Sequence, residues 1–317
     1  MKNNPILLVA GEPNSIFFEI LFKALRKKKY KSPLVLICCK KILMRHMKKL
    51  NYKKKLEILE VERIIKKKIN NKCLNIIDIN FKNTSNKKSL RIYLKKSFDV
   101  ACDLMHKGFT NKLINGPINK KNFLNKKFLG ITEYISYKFK RNKTGMLIYN
   151  KELSVCPLTT HLPLKQVANK VSKKLISEKI ELIDSFFKKK LKIKAKIAVT
   201  GLNPHCESVS NFNEDEKIIP QVIKSKFKKN INVKGPYSAD TIFLKKNRKK
   251  FNVILGMYHD QVLGPFKSLY EYNAINITMG LPILRLSPDH GPNIEMVGKN
   301  KSNPLSLIKA LDFLDNR

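Results

Sequence analysis

Three histidines occupy the same kind of place in this chain. His161, His205 and His259 each follow closely on a short apolar run: Val155-Cys156-Pro157-Leu158-Thr159-Thr160-His161, Val199-Thr200-Gly201-Leu202-Asn203-Pro204-His205 and Leu255-Gly256-Met257-Tyr258-His259. Neutral imidazole is the commonest divalent-metal ligand, and three from three strand ends can converge on one ion with a position left open for substrate. One such histidine alone reads more simply as a satisfied core residue; the repeated context keeps the metal reading open beside it. His46 and His106 lie in helical, lysine-flanked segments and read as surface residues. Lys267, Asn276 and Arg285 follow His259. An arginine at a strand end can hold a phosphate through its guanidinium fork, although each of the three alone is an ordinary surface residue on a chain this basic.

Other chemistries find no support. The 12 glycines include no G-x-G-x-x-G, and no P-loop, G-x-S-x-G or H-E-x-x-H occurs. The six cysteines (Cys38, Cys39, Cys73, Cys102, Cys156, Cys206) show no C-x-x-C and read as free thiols. The formal charge of +41, from 65 Lys+Arg against 24 Asp+Glu, raises nucleic acid as a partner. The lysines are spread along the chain together with an excess of Asn and Ile, so no specific nucleic-acid partner is expected. A basic nucleic-acid-binding protein stays as the reading from a different class. No apolar run approaches the roughly 20 residues of a membrane helix, and a cytoplasmic location without membrane attachment is expected.

The positioning elements follow from apolar patterning. Residues 6–10 and 34–38 are continuous apolar runs, the mark of strands buried on both faces. Between them Gly11-Glu12-Pro13 breaks the chain, Asn14 or Ser15 can cap a helix, and Ile16, Phe17, Ile20, Leu21, Ala24 and Leu25 repeat at helical spacing. This βαβ start predicts a parallel sheet covered on both faces, whose strand ends gather ligands. The spacing predicts further helices near 97–107 and over about 165–190, and strands at 112–114, 195–200 and 253–257. Residues 45–95, rich in Lys and Asn, are weakly patterned.

Six segments then occur in order: Gly116-Pro117-Ile118-Asn119-Lys120, Thr159-Thr160-His161-Leu162-Pro163-Leu164, Gly201-Leu202-Asn203-Pro204-His205, Ala239-Asp240-Thr241, Tyr258-His259-Asp260-Gln261 and Asn276-Ile277-Thr278-Met279-Gly280-Leu281-Pro282. Together they resemble the 4-hydroxythreonine-4-phosphate dehydrogenase family of vitamin B6 biosynthesis. The stretch from Asp289 to Lys299 is similar to the adenosine-side loop of isopropylmalate and isocitrate dehydrogenases, which share that family's fold.

The resemblance implies two α/β/α domains with a mostly parallel, isopropylmalate dehydrogenase-like sheet. Residues 1–125 with 276–317 would form the first domain, and 126–275 the second, contributing the interface of a homodimer with its active site at the subunit boundary. It implies a divalent ion (Zn, Mg or Co) on His161, His205 and His259, and a phosphorylated small-molecule substrate on Thr132, Lys267, Asn276 and Arg285. NAD or NADP would lie against His290, Gly291 and Asn293. Asp240 is the candidate for proton handling or for orienting a metal ligand. The implied reaction is oxidation of 4-phosphooxy-L-threonine, followed by decarboxylation. Two departures stand out: Ile131 replaces the family's usual histidine before Thr132, and Cys206-Glu207-Ser208-Val209-Ser210 replaces its glycine-rich stretch. They favour, as an alternative, a paralogue oxidising another phosphorylated hydroxy acid such as a four-carbon phosphosugar acid.

Overall fold

The computed structural model describes residues 4–81, 86–119, 128, 130–207, 213–289 and 291–317. Of the residues singled out above, Lys120, Ser208, Val209, Ser210 and His290 lie outside the described residues. The strands in chain order are β1 (Ile6–Val9), β2 (Leu34–Cys38), β3 (Leu56–Ile58), β4 (Leu74–Asp78), β5 (Lys112–Asn115), β6 (Gly145–Tyr149), β7 (Ser154–Pro157), β8 (Ile197–Thr200), β9 (Val233–Tyr237), β10 (Val253–Gly256), β11 (Ile275–Met279) and β12 (Leu284–Pro288). Among the described residues, the helices of two turns or more are α1 (Phe17–Lys27), α2 (Lys40–Lys49), α3 (Lys87–His106), α4 (Ile131–Lys138), α5 (Lys173–Phe186), α6 (Ile219–Lys228), α7 (His259–Tyr270) and α8 (Leu305–Asp315). Among the described residues, no helix is long and apolar enough to cross a membrane.

The chain divides into two compact units, residues 1–140 with 281–317 and residues 141–280. The boundaries expected after 125 and before 276 therefore move, and the reason is packing. Helix α4 belongs with the first unit because Tyr134 donates to Asp99 of α3 (3.0 Å) and Lys138 pairs with the same carboxylate. Strand β11 belongs with the second because all five of its residues pair antiparallel with β6, from Ile275 opposite Tyr149 to Met279 opposite Gly145.

In the first unit the strand order is β3-β4-β2-β1-β5-β12, every neighbouring pair parallel. β1 and β2 are buried at every residue, as their unbroken apolar runs require. Helix α1 begins at Phe17 rather than on Asn14 or Ser15, but Ser15 still closes the turn: its hydroxyl donates to the Glu12 carbonyl (2.7 Å) and accepts from Phe17 N–H (3.4 Å). Helix α3 starts ten residues before the expected stretch, because the Asn86 side chain accepts the N–H groups of Lys88 and Ser89. The weakly patterned 45–95 region contains the end of α2, β3, β4 and this early start.

In the second unit the order is β11-β6-β7-β10-β8-β9, antiparallel as far as β7 and parallel beyond it. Helix α7 lies on this sheet through Val262 and Phe266, both fully buried against Val155, Ala198 and Ile254. Each such side chain contributes about 1.5–3 kcal/mol of apolar burial. The close approach needs Gly256 at the end of β10, since a Cβ there would stand 2.3 Å from a Val262 methyl. The helix expected over 165–190 starts later, since two 3₁₀ turns precede α5 and Ser172 caps its start at Leu175 N–H, and a π-helical turn over Phe187–Leu191 carries it to the expected end. All six cysteines are free thiols.

Candidate active site

Parallel register places three chain exits side by side in the second unit. β7, β10 and β8 are consecutive neighbours, with Gly256 opposite Pro157 and Leu255 opposite Val199. Their carboxyl ends stand level, and the chain reaches His161, His259 and His205 within a few residues of them. His161 and His259 face each other with ring centroids 5.8 Å apart. At metal–nitrogen bonds of 2.0–2.1 Å, two imidazoles on one tetrahedral ion have centroids about 5 Å apart, so this pair fits a shared ion. His205 lies apart, held in a left-handed conformation (φ 56°) that continues into Cys206 (φ 63°). Its Nδ1 is 3.9 Å from Asp240 Oδ2. Among the described residues, no group of three His, Cys, Asp or Glu closes around a single point.

Carboxylates orient the rings. His259 Nδ1 is 2.7 Å from Asp260 Oδ1. Asp240 is exposed, and a hydrogen bond from the Ser238 hydroxyl (2.5 Å) is the main cause holding its pKa below the ordinary value. Asp240 is thus an ionised carboxylate beside His205 at neutral pH, a weaker base than an ordinary aspartate and a poor proton donor.

The loop carrying His205 is anchored by a residue the sequence did not single out. Asp215 is buried, and its carboxylate accepts from Leu202 N–H (2.5 Å), Asn203 N–H (2.9 Å) and the Asn203 amide (3.0 Å). Gly201 is small for the same reason, since a Cβ would stand 2.9 Å from Asp215 Oδ1. Replacing Asp215 with Ala is expected to leave these donors unmet, at about 1–3 kcal/mol for the worst placed. Melting curves should show the loss, and proteolysis should strike the 201–207 loop first. Unchanged melting and cleavage would show the anchor to be idle.

In the first unit the structure corrects the view of Arg285 as a surface residue. It lies on β12 opposite Leu113 and is only 1% exposed. Its Nε donates to Asn115 Oδ1 (2.8 Å) and its Nη1 to Thr132 Oγ1 (3.4 Å). Burial pushes its pKa down to about 10, opposed by the Glu133 carboxylate, so it remains a cation at neutral pH. Thr132 and Arg285, both substrate contacts implied by the resemblance, are therefore brought together. Glu133 Oε2 is buried without a hydrogen-bond partner among the described residues. Asn115 and Glu133 were missed as site residues, although each stands next to a residue already singled out, Asn115 before Gly116 and Glu133 after Thr132.

Lys267 and Asn276 are placed differently. Lys267 sits eight residues after His259 on α7, about 12 Å further along the axis. Asn276 lies on β11 opposite Ile148, with its side-chain oxygen buried and unpaired among the described residues. In the first unit, Gly291 and Asn293 belong to a loop tied to the start of α1 by Ile16 N–H and the Pro292 carbonyl (3.2 Å). A cavity of about 420 Å³ nearby is lined by Glu12, Asn14, Arg45, His46, Lys49 and Val297, among others. His46 is not a surface residue: it is buried, its ring 5.0 Å from that of Phe18. Burial lowers its pKa and so favours the neutral imidazole, and burial likewise raises that of Glu12.

Comparison with known proteins agrees with this architecture. The family model described as "Pyridoxal phosphate biosynthetic protein PdxA" matches residues 29–314. The chain is 35% identical over 320 residues to the 4-hydroxythreonine-4-phosphate dehydrogenase of Sulfurihydrogenibium sp. (strain YO3AOP1), covering 97% of this chain and 96% of the relative. It is 28% identical to the D-threonate 4-phosphate dehydrogenase of Salmonella typhimurium, covering 97% of each. A crystal structure of 4-hydroxythreonine-4-phosphate dehydrogenase from Klebsiella pneumoniae superposes with a TM-score of 0.82 at 25% identity, covering 98% of both chains. The chain belongs to the pyridoxal phosphate biosynthetic protein PdxA family and is an oxidoreductase.

Proposed function

We propose that the protein oxidises the C3 hydroxyl of 4-phosphooxy-L-threonine with NAD or NADP. The product, 2-amino-3-oxo-4-(phosphooxy)butanoate, decarboxylates to 3-amino-2-oxopropyl phosphate, a step in pyridoxal phosphate biosynthesis in the cytoplasm. The observation that carries the reading is the alignment of His161, His259 and His205 beyond three consecutive parallel strands. These three residues would hold one divalent ion, Zn, Mg or Co. When bound, the ion supplies Lewis acidity that lowers the pKa of an alcohol beside it. Asp240 keeps His205 oriented and can take up a proton. Arg285 and Thr132 hold the phosphate, the guanidinium through charge and fork geometry and the hydroxyl as a further donor, with Lys267 adding charge and Asn276 its amide. His290, Gly291 and Asn293 would hold the adenosine side of a nicotinamide cofactor, which when bound would supply the hydride acceptor. The protein works as a homodimer, with the second unit, residues 141–280, supplying the interface. A dehydrogenase assay with several phosphorylated hydroxy acids, with and without chelator, tests the reading; turnover that survives chelation would overturn the metal-dependent form.

Ile131 favours a second reading, a dehydrogenase for another phosphorylated hydroxy acid such as a four-carbon phosphosugar acid. Ile131 opens α4 immediately before Thr132 and offers no hydrogen bond where the family's histidine would. If the remaining donors suffice, Ile131→His is expected to change kcat/KM for 4-phosphooxy-L-threonine only modestly. If the substrate has changed, the same variant should gain roughly tenfold or more, about 1.4 kcal/mol of transition-state binding. The retention of Thr132, Asn276, Lys267 and Arg285 supports the first outcome.

A further inference from the structure

We infer that Gln261 is a positioning residue for the histidine site, its one amide fixing the strand ends that carry His205 and His259 at a set spacing. The inference rests on the reading that the three histidines share a metal ion. Gln261 lies in the first turn of α7, two residues after His259. Its Oε1 accepts from Met257 N–H (2.7 Å) and from the Thr200 hydroxyl (2.9 Å), and its Nε2 donates to the Gly201 carbonyl (2.8 Å). One side chain therefore grips the exit of β8, before His205, and the exit of β10, before His259. The third exit is tied to the same point: the Met257 carbonyl accepts from the Thr159 hydroxyl (2.8 Å) and Thr159 N–H (3.3 Å), two residues before His161.

The chemistry admits only an amide of this length. Met257 N–H is a donor and must face an oxygen; the Gly201 carbonyl is an acceptor and must face an N–H. The network thus fixes the orientation of the amide. An ionised glutamate cannot donate to Gly201, an aliphatic side chain can do neither, and asparagine is a methylene shorter. Space for the clamp is reserved in the sequence. A Cβ on Gly256 would stand 3.0 Å from Gln261 Oε1, and one on Gly201 would meet Cys206 Sγ at 2.7 Å. Partners that orient metal ligands typically change metal affinity about 10–100-fold when removed.

The test uses the full-length protein and Co2+ as the probe. Competition with a chromophoric chelator measures Kd, and the visible absorption of bound Co2+ reports ligand geometry. Gln261→Met is expected to weaken Co2+ binding at least tenfold and to alter the absorption spectrum. Ile183→Ala, a cavity in α5 of the same unit away from these hydrogen bonds, is expected to lower Tm with little change in either readout. If Ile183→Ala weakens Co2+ as much as Gln261→Met does, Gln261 is merely structural and the inference fails. Should Gln261→Met not fold, Gln261→Glu, which keeps the acceptor and loses the donation to Gly201, is read by the same criteria. If alanine variants of the three histidines lose Co2+ while Gln261→Met keeps wild-type Kd and spectrum, the clamp is wrong and the metal reading stands. If those alanine variants bind Co2+ like wild type, the metal reading falls and the clamp inference with it.

Discussion

Turnover is expected to disappear when any one of His161, His205 or His259 is replaced by alanine. A metal held by three protein ligands loses a third of those ligands with each change, and even the groups that merely orient ligands are worth about 10–100-fold. The loss should therefore exceed about a hundredfold in kcat/KM. Folding should hardly register it. His205 is exposed, and the second unit is held by the apolar packing of α7 on its sheet. Far-UV circular dichroism of the three variants should overlay that of the unmodified protein. The assignment of the site is wrong if two of the three retain full activity in chelator-treated buffer.

Arg285 carries the second large effect, and here stability and activity should fall together. Losing a charge-assisted contact to a phosphate costs on the order of 1.5–3 kcal/mol, roughly tenfold to more than a hundredfold in kcat/KM. Arg285→Ala also empties a buried site and leaves Asn115 Oδ1 without its 2.8 Å donor, so Tm should drop as well. Arg285→Lys should recover only part of the activity, because an ammonium cannot serve Asn115, Thr132 and a phosphate in one plane. Lys267→Ala provides the contrast, since Lys267 is half-buried near the end of α7 and its loss should reduce kcat/KM with little change in Tm. Equal use of a dephosphorylated substrate by the unmodified protein would remove the phosphate role from both residues.

Arg285 also shows why part of the site could not be read along the chain. Next to Leu284 and Leu286 it looks like one more charge on a basic protein; its burial comes from β5, and its partner Asn115 is 170 positions away. Gln261 follows Asp260 and passes for a helix-surface residue, yet one of its bonds reaches Gly201, 60 positions away. His46 is similar: its lysine neighbours indicate a surface, while the inward face of α2 is set by Ile42, Leu43 and His46 against α1. Helix α3 escaped in part because its capping residue, Asn86, stands in a stretch crowded with Asn and Lys.

What the sequence determined by itself was local or strictly ordered. Unbroken apolar runs specify doubly buried strands, because a strand covered on both faces excludes polar residues at every position. Alternation of such runs with helical spacing gave the α/β class, and motifs ending those runs located the three histidines and the family. Tertiary structure alone decided which strands are neighbours, where the units divide, that Arg285 lies inside with Thr132 and Asn115, and that Gln261 bridges two strand ends. The physical reason is range. Backbone propensity and hydrophobic period act over a few residues and leave a repeating trace in the chain. A hydrogen bond between side chains far apart in sequence leaves none, because any donor can meet any acceptor until the fold has placed them within 3 Å.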